Sequence, residues 1–126
     1  MKHLNIKTIT DLHNDALRGI DFYTQELGIV QQRLQEIAEA NTATPVLMAV
    51  EHFQDELIIH NRELSALMAA FHKNHRKLEQ QLVELAGYAD EAVFNENDDL
   101  YERYVTEEKM VNELRHDFNR FASRWL

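Results

Sequence analysis

Seven histidines in a chain of 126 residues, set among 22 Asp and Glu, are the side chains with the most chemistry to offer. Imidazole combined with carboxylate suits divalent metals such as zinc, iron or nickel. A helical spacing of three or four residues places two such ligands on one face. His72-Lys73-Asn74-His75 has the first spacing. His52 with Glu56, and Glu56 with His60, have the second, and Glu63 follows. Glu113-Leu114-Arg115-His116 has the Glu-x-x-His form of carboxylate-bridged di-iron bundles. That chemistry needs the form twice, with two further glutamates, and it occurs here once.

Other chemistries find less material. The chain has no Cys, three Gly and one Pro. That excludes disulfides, thiolate metal sites, cysteine nucleophiles and a Gly-rich phosphate loop. The serines are Ser65 and Ser123, and neither has a His spaced to activate it. No constellation of residues points to a catalytic site, so enzymatic activity is not the expectation. A net charge of -9 repels nucleic acid and anionic lipid, and neither is expected as a partner. No apolar run approaches the ~18 residues of a membrane span. Met1-Lys2-His3-Leu4-Asn5 lacks the apolar core of a signal peptide. A soluble cytoplasmic protein is expected.

Any site must be held by helices, because Leu, Ala, Glu and Gln are abundant and Gly and Pro are scarce. Residues 1–9 show no clear period and read as an N-terminal arm of a single domain spanning 1–126. Beyond them, Ala16, Ile20, Tyr23, Leu27, Val30, Leu34 and Ile37 alternate four and three apart, a heptad seam. Asn41-Thr42-Ala43 breaks it. Thr44-Pro45 then restarts a helix, with Thr as cap and Pro in the first turn. The second seam runs Val46, Val50, Phe53, Leu57, His60, Leu64, Leu67, Phe71, Asn74, Leu78, Gln81 and Leu85 without a slip, and could continue to Asn95. Asn95-Glu96-Asn97-Asp98-Asp99 reads as the second break. The third seam is Leu100, Tyr104, Glu107, Val111, Leu114, Phe118, Phe121 and Trp125. The aromatic residues at this spacing, with Tyr101, read as core packing rather than a ligand slot.

These elements predict an all-α fold, a long-helix antiparallel bundle of coiled-coil character. Outer helices of about 30 residues flank a middle one of about 50, or ~45 Å against ~75 Å. Each outer helix would then cover only half of the middle one, leaving two unfinished cores. Two arrangements complete them. Either the middle helix bends at Phe71-His72-Lys73-Asn74-His75 to give a four-helix bundle in one chain, or it stays straight and two chains pair as an antiparallel homodimer through it. No Gly or Pro marks a turn at 71–75, the seam keeps its phase there, and Ala66, Ala69 and Ala70 would allow close approach of helices. These points favour the dimer.

Folding at residues 41–43 places His13 level with Phe71, one turn from His72 and His75, with Asp11 and Asp15 close by. His13, His72 and His75 are thus the candidate ligands of a divalent metal, against a hydrated polar collar with no cofactor. The same folding sets Tyr23 opposite His60, a polar pair that would fix register. Asn74, Gln81 and Glu107 are further polar seam positions. Glu107 would sit near the start of the third helix, where the helix dipole favours a carboxylate.

Two resemblances bear on function. The order His13, His52 with Glu56, His72, then His116 resembles the hemerythrin pattern of ligands spread over four helices, which implies a metal site. The chain departs from it at His72 and His75, where that family has His-x-x-x-His, and at Phe121, where it has Asp. No turn separates the second and third clusters. The stretch from Phe22 to Glu63, notably Arg33-Leu34-Gln35-Glu36 and Val50-Glu51-His52-Phe53-Gln54, resembles small all-helical bacterial proteins of uncharacterised function and implies no activity. The expected function is a non-enzymatic structural or protein-interaction module. The alternative is a metal-binding bundle of hemerythrin-like or di-iron type.

Overall fold

Apolar residues recurring four and three apart give a helix one continuous sticky stripe, and three such helices bury their stripes against one another. The computed structural model describes residues 6–84 and 91–125, which form α1 (Ile6–Ala40), α2 (Thr44–Glu84) and α3 (Glu91–Trp125). All three helices touch, and no strand occurs among the described residues. The all-α bundle of long antiparallel helices expected from the sequence is present. Its internal arrangement differs in instructive ways.

The helix ends follow local chemistry. The Asn41 side-chain amide donates to the Ile37 carbonyl at 2.8 Å, satisfying an acceptor that the end of α1 would otherwise leave free. The Ala43 carbonyl accepts from the Val46 and Leu47 amides, each at 3.1 Å. The cap of α2 is therefore this carbonyl rather than the Thr44 hydroxyl. Pro45, with no N–H to give, sits in the first turn, where none is needed. α1 starts at Ile6, so residues 6–9 of the expected arm are helical, and Ile9 is fully buried beside Leu78 and Val93.

α2 runs unbroken through 71–75, with Phe71, Asn74 and Leu78 all fully buried. The bend considered there does not occur. The expected half-coverage of α2 does not occur either. The Asn95–Asp99 run lies inside α3, because Val93 and Asn97 extend the four-three alternation backwards from Leu100 and are buried. The part of the expected second helix between Leu85 and Asp90 lies outside the described residues. The helices number 35, 41 and 35 residues, or ~53, ~62 and ~53 Å. Nearly matched in length, α1 and α3 lie side by side along α2. One core therefore closes within a single chain, and the need for a fourth helix disappears.

Register is visible in the pairs that flank the core. Lys77 meets Glu96 at 2.8 Å and Arg103 meets Glu63 at 2.9 Å, so α2 and α3 are antiparallel. Arg115 meets Glu26 at 3.4 Å, so α1 and α3 run parallel. Toward one end Phe53 stacks edge-on against Phe118, with ring centroids 5.5 Å apart, and Phe121 packs on it at 5.3 Å. Trp125, the last position of the expected third seam, is exposed, and Ala122 is buried instead. No described helix is long and apolar enough to cross a membrane.

Two glycines sit inside α1 with opposite surroundings. A Cβ on Gly19 would lie 1.8 Å from the Tyr104 hydroxyl and 2.7 Å from its ring carbon Cζ, whereas one on Gly28 would meet nothing within 4 Å. Replacing Gly by Ala inside a helix normally gains ~1 kcal/mol. Gly28→Ala is expected to stabilise by about that amount. Gly19→Ala is expected to destabilise, because buried Tyr104 must be displaced. Urea denaturation of the two variants checks both signs.

Candidate functional site

The core is apolar except at two levels, and these hold the histidines that face inward. At the first level His60 of α2 and Glu107 of α3 are both 3 % exposed. His60 Nδ1 is hydrogen-bonded to Glu107 Oε1. Its Nε2 lies 3.4 Å from Glu56 Oε2 one turn earlier. Burial pushes the Glu107 carboxyl above its usual range, and the adjacent His60 pulls it back. Glu107 lies in the middle of α3, not near its start, so His60 and not the helix dipole is what it answers to. Carboxylates occupy both His60 nitrogens. These contacts tie the ring to both α2 and α3, which makes His60 a structural partner.

Tyr23 shares this level but turns away from His60. Its hydroxyl donates to Glu108 at 3.1 Å and accepts from the Asn112 amide at 3.1 Å. The Tyr104 hydroxyl donates to the same Glu108 oxygen at 2.9 Å. Burial raises both phenols above their ordinary range, and Glu108 adds to it. The expected Tyr23–His60 pair is therefore replaced by two separate partnerships, each made with α3. Above the His60–Glu107 pair, α2 and α3 part to form an open groove of about 790 Å³, with Ile59, Glu63, Arg103 and Met110 among its walls.

The second level gathers His13 of α1, Asn74 of α2 and Asn97 of α3, each buried to 2 % exposure or less. Both His13 nitrogens, both Asn74 side-chain polar atoms and Asn97 Oδ1 are buried without a hydrogen-bond partner. The His13 ring stands edge-on to Phe71, with centroids 5.2 Å apart, and lies 6.3 Å from the ring of His75. Burial lowers the His13 pKa below 6.5, and nearby His75 lowers it further, while Asn97 and Asn74 oppose the shift. His13 is therefore neutral at neutral pH.

Of the candidate metal ligands, the structure brings His13 and His75 near one another and leaves His72 on the exposed outer side of α2. His75 Nε2 also faces Glu79 at 3.1 Å. Asp11 and Asp15 are exposed, and Asp15 pairs with Arg18. His52 rests on Phe53 at the surface, and His116 with Glu113 and Asp117 lines a shallow depression on α3. Among the described residues no group of three or more His, Asp or Glu stands where it could hold a metal ion. Asn97 escaped notice in the sequence because its run resembles a loop. The signal was the phase, since Asn97 and Val93 continue the third seam backwards. Glu108 and Asn112 lie beside the seam and carried no signal.

Compared with protein-family models, with curated proteins and with solved structures, the chain finds no match.

Removing one member of a buried hydrogen-bonded pair leaves the other without a partner, typically at a cost of ~1–3 kcal/mol, whereas replacing both by apolar groups is often neutral or better. Glu107→Ala is expected to destabilise by about that amount, and His60→Leu with Glu107→Leu to restore most of the loss. Equilibrium denaturation measures both. His13 supplies a pH dependence of definite sign. Its folded pKa lies below the unfolded 6.5, so the unfolded chain binds more protons once the pH drops under that value. Stability is therefore full above pH 6.5 and falls as the pH descends toward the folded pKa. Between pH 7.5 and 5.5 the wild type is expected to lose more stability than His13→Gln, as read by urea midpoints.

Proposed function

We propose that the protein is a non-catalytic interaction module, a stiff three-helix rod acting in the cytoplasm by presenting the outward face of α2 to another protein. One observation carries the reading. Met48, Ile59 and Ile58 are 66, 55 and 49 % exposed, the three most exposed large apolar side chains among the described residues, and all lie on that face. Single exposed apolar residues are ordinary on a soluble protein. Three on the back of one helix, whose inward seam is already satisfied, are surplus to folding and suit recognition. The net charge of -9 speaks against a nucleic-acid partner.

A second reading, a divalent metal held by His13 and His75, is favoured by the unpartnered His13 nitrogens beside the His75 ring. Elemental analysis of untagged protein separates the two readings. Less than about a tenth of an equivalent of metal, unchanged in His13→Ala, removes the metal. A full equivalent that His13→Ala abolishes would replace the first reading.

Affinity capture with the wild type and with Met48→Gln/Ile58→Gln/Ile59→Gln tests the interaction face. The triple variant is expected to melt as the wild type does and to lose the proteins that the wild type recovers. Equal recovery by both would overturn the reading.

A further inference from the structure

The outward face of α2 carries an ordered charge pattern. Acidic Glu51 and Asp55 lie toward its start, Ile58, Ile59, Arg62, Ser65, Ala66 and Ala69 in its middle and basic His72, Lys73 and Arg76 toward its end, with Met48, His52 and Glu79 also exposed on it. Among the described residues, none of Glu51, Asp55, Lys73 or Arg76 makes a salt bridge within the chain, although Lys73 acts on Glu96 at longer range and flanking residues such as Glu63 and Lys77 are paired.

Such a sequence is complementary to its own reverse. We propose that this face pairs with the same face of a second copy, antiparallel, about a two-fold axis that crosses α2 between Glu63 and Leu64. The proposal rests on the interaction-module reading and names its partner. With the axis there, Asp55 of one copy stands level with the mate's His72 and Lys73, and Arg76 stands level with the mate's Glu51. Each of these pairings occurs twice by symmetry. Ala69 stands over the mate's Ile58 and Ile59, a small residue that lets the large ones pack between the helices. Arg62 stands over the mate's Ser65 and Ala66, whose size leaves room for its long stem.

Charge also selects this register over its neighbours. Sliding the mate by one heptad, which moves the axis half a heptad toward the C-terminus, sets Arg62 against His72 and Lys73, and Asp55 against Glu79. Sliding it one heptad the other way sets Lys73 over Met48 and Ala69 over Glu51, so no opposite charges meet. Of the three, the central register alone sets opposite charges together and covers Ile58 and Ile59, although Met48 then lies beyond them beside the mate's Glu79.

The absence of cysteine from the chain gives a clean test on the whole protein. At about 100 µM, light scattering is expected to give twice the monomer mass of 14.9 kDa. Ser65→Cys, beside the axis, is expected to form an intermolecular disulfide on mild oxidation, and Ser123→Cys, exposed on α3, is not. Asp55→Lys is expected to weaken the dimer at least tenfold, and adding Lys73→Asp to restore it, with the helical circular dichroism unchanged throughout. A wild type that stays monomeric overturns the proposal, as does a dimer indifferent to Asp55→Lys or one that cross-links equally well through Ser123→Cys. A monomeric wild type that still loses a different protein in the Met48, Ile58 and Ile59 triple variant would sink self-pairing and leave the interaction module standing. If the wild type is monomeric and the triple variant loses nothing, both fall.

Discussion

The inward seam of α2 has to be covered along its whole length, and the rest of the molecule follows from how that is done. From Val46 to Leu78 the seam offers one side chain every three or four residues, nearly all apolar and nearly all fully buried. Neighbouring helices must shelter such a stripe from end to end. α1 and α3 do so together because their lengths match each other and come close to that of α2. The short connection at 41–43 sets α1 antiparallel to α2, and the antiparallel return of α3 brings it parallel to α1.

Within that frame, polar residues enter the core at two levels and act as register marks. A shift of any helix by one heptad would carry His60 away from Glu107, or set His13 among leucines and valines. The two levels do this differently. The His60–Glu107 level is internally satisfied, with a second carboxylate, Glu56, facing the remaining ring nitrogen. At the His13–Asn74–Asn97 level five buried polar atoms find no well-formed hydrogen bond, although Asn97 and Asn74 stand close enough to His13 to act on its ring. The second level is therefore the weaker joint of the rod.

Much of this was legible in the residues. The seams of α1 and α2, the break at Asn41–Ala43 and the inward placement of His60, Asn74 and Glu107 all follow from the four-three alternation. The start of α3 was not, because Asn95-Glu96-Asn97-Asp98-Asp99 has the composition of a turn, and a buried Asn97 is visible only as phase. That one misplacement lengthened the middle helix, shortened the third and created the appearance of an unfinished core. The partner of His60 was missed for a related reason. Levelling α1 against α2 finds Tyr23, but in a three-membered core the third helix competes, and α3 supplies a carboxylate that a phenol cannot match. The three-residue spacing of His72 and His75 sets them ~60° apart around the helix, enough to leave His72 exposed while His75 turns toward His13.

The parallel packing of α1 on α3 has a kinetic meaning. The two helical hairpins can zip from their connections with little loop to close. The contacts of Tyr23 with Glu108 and Asn112 instead join positions 85 and 89 residues apart. Chain entropy opposes such long-range closure until the hairpins exist. The seating of the Tyr104 phenol over Gly19 then becomes a late event on the way to the native state, and a latch whose strength governs how quickly the finished rod comes apart more than how quickly it forms.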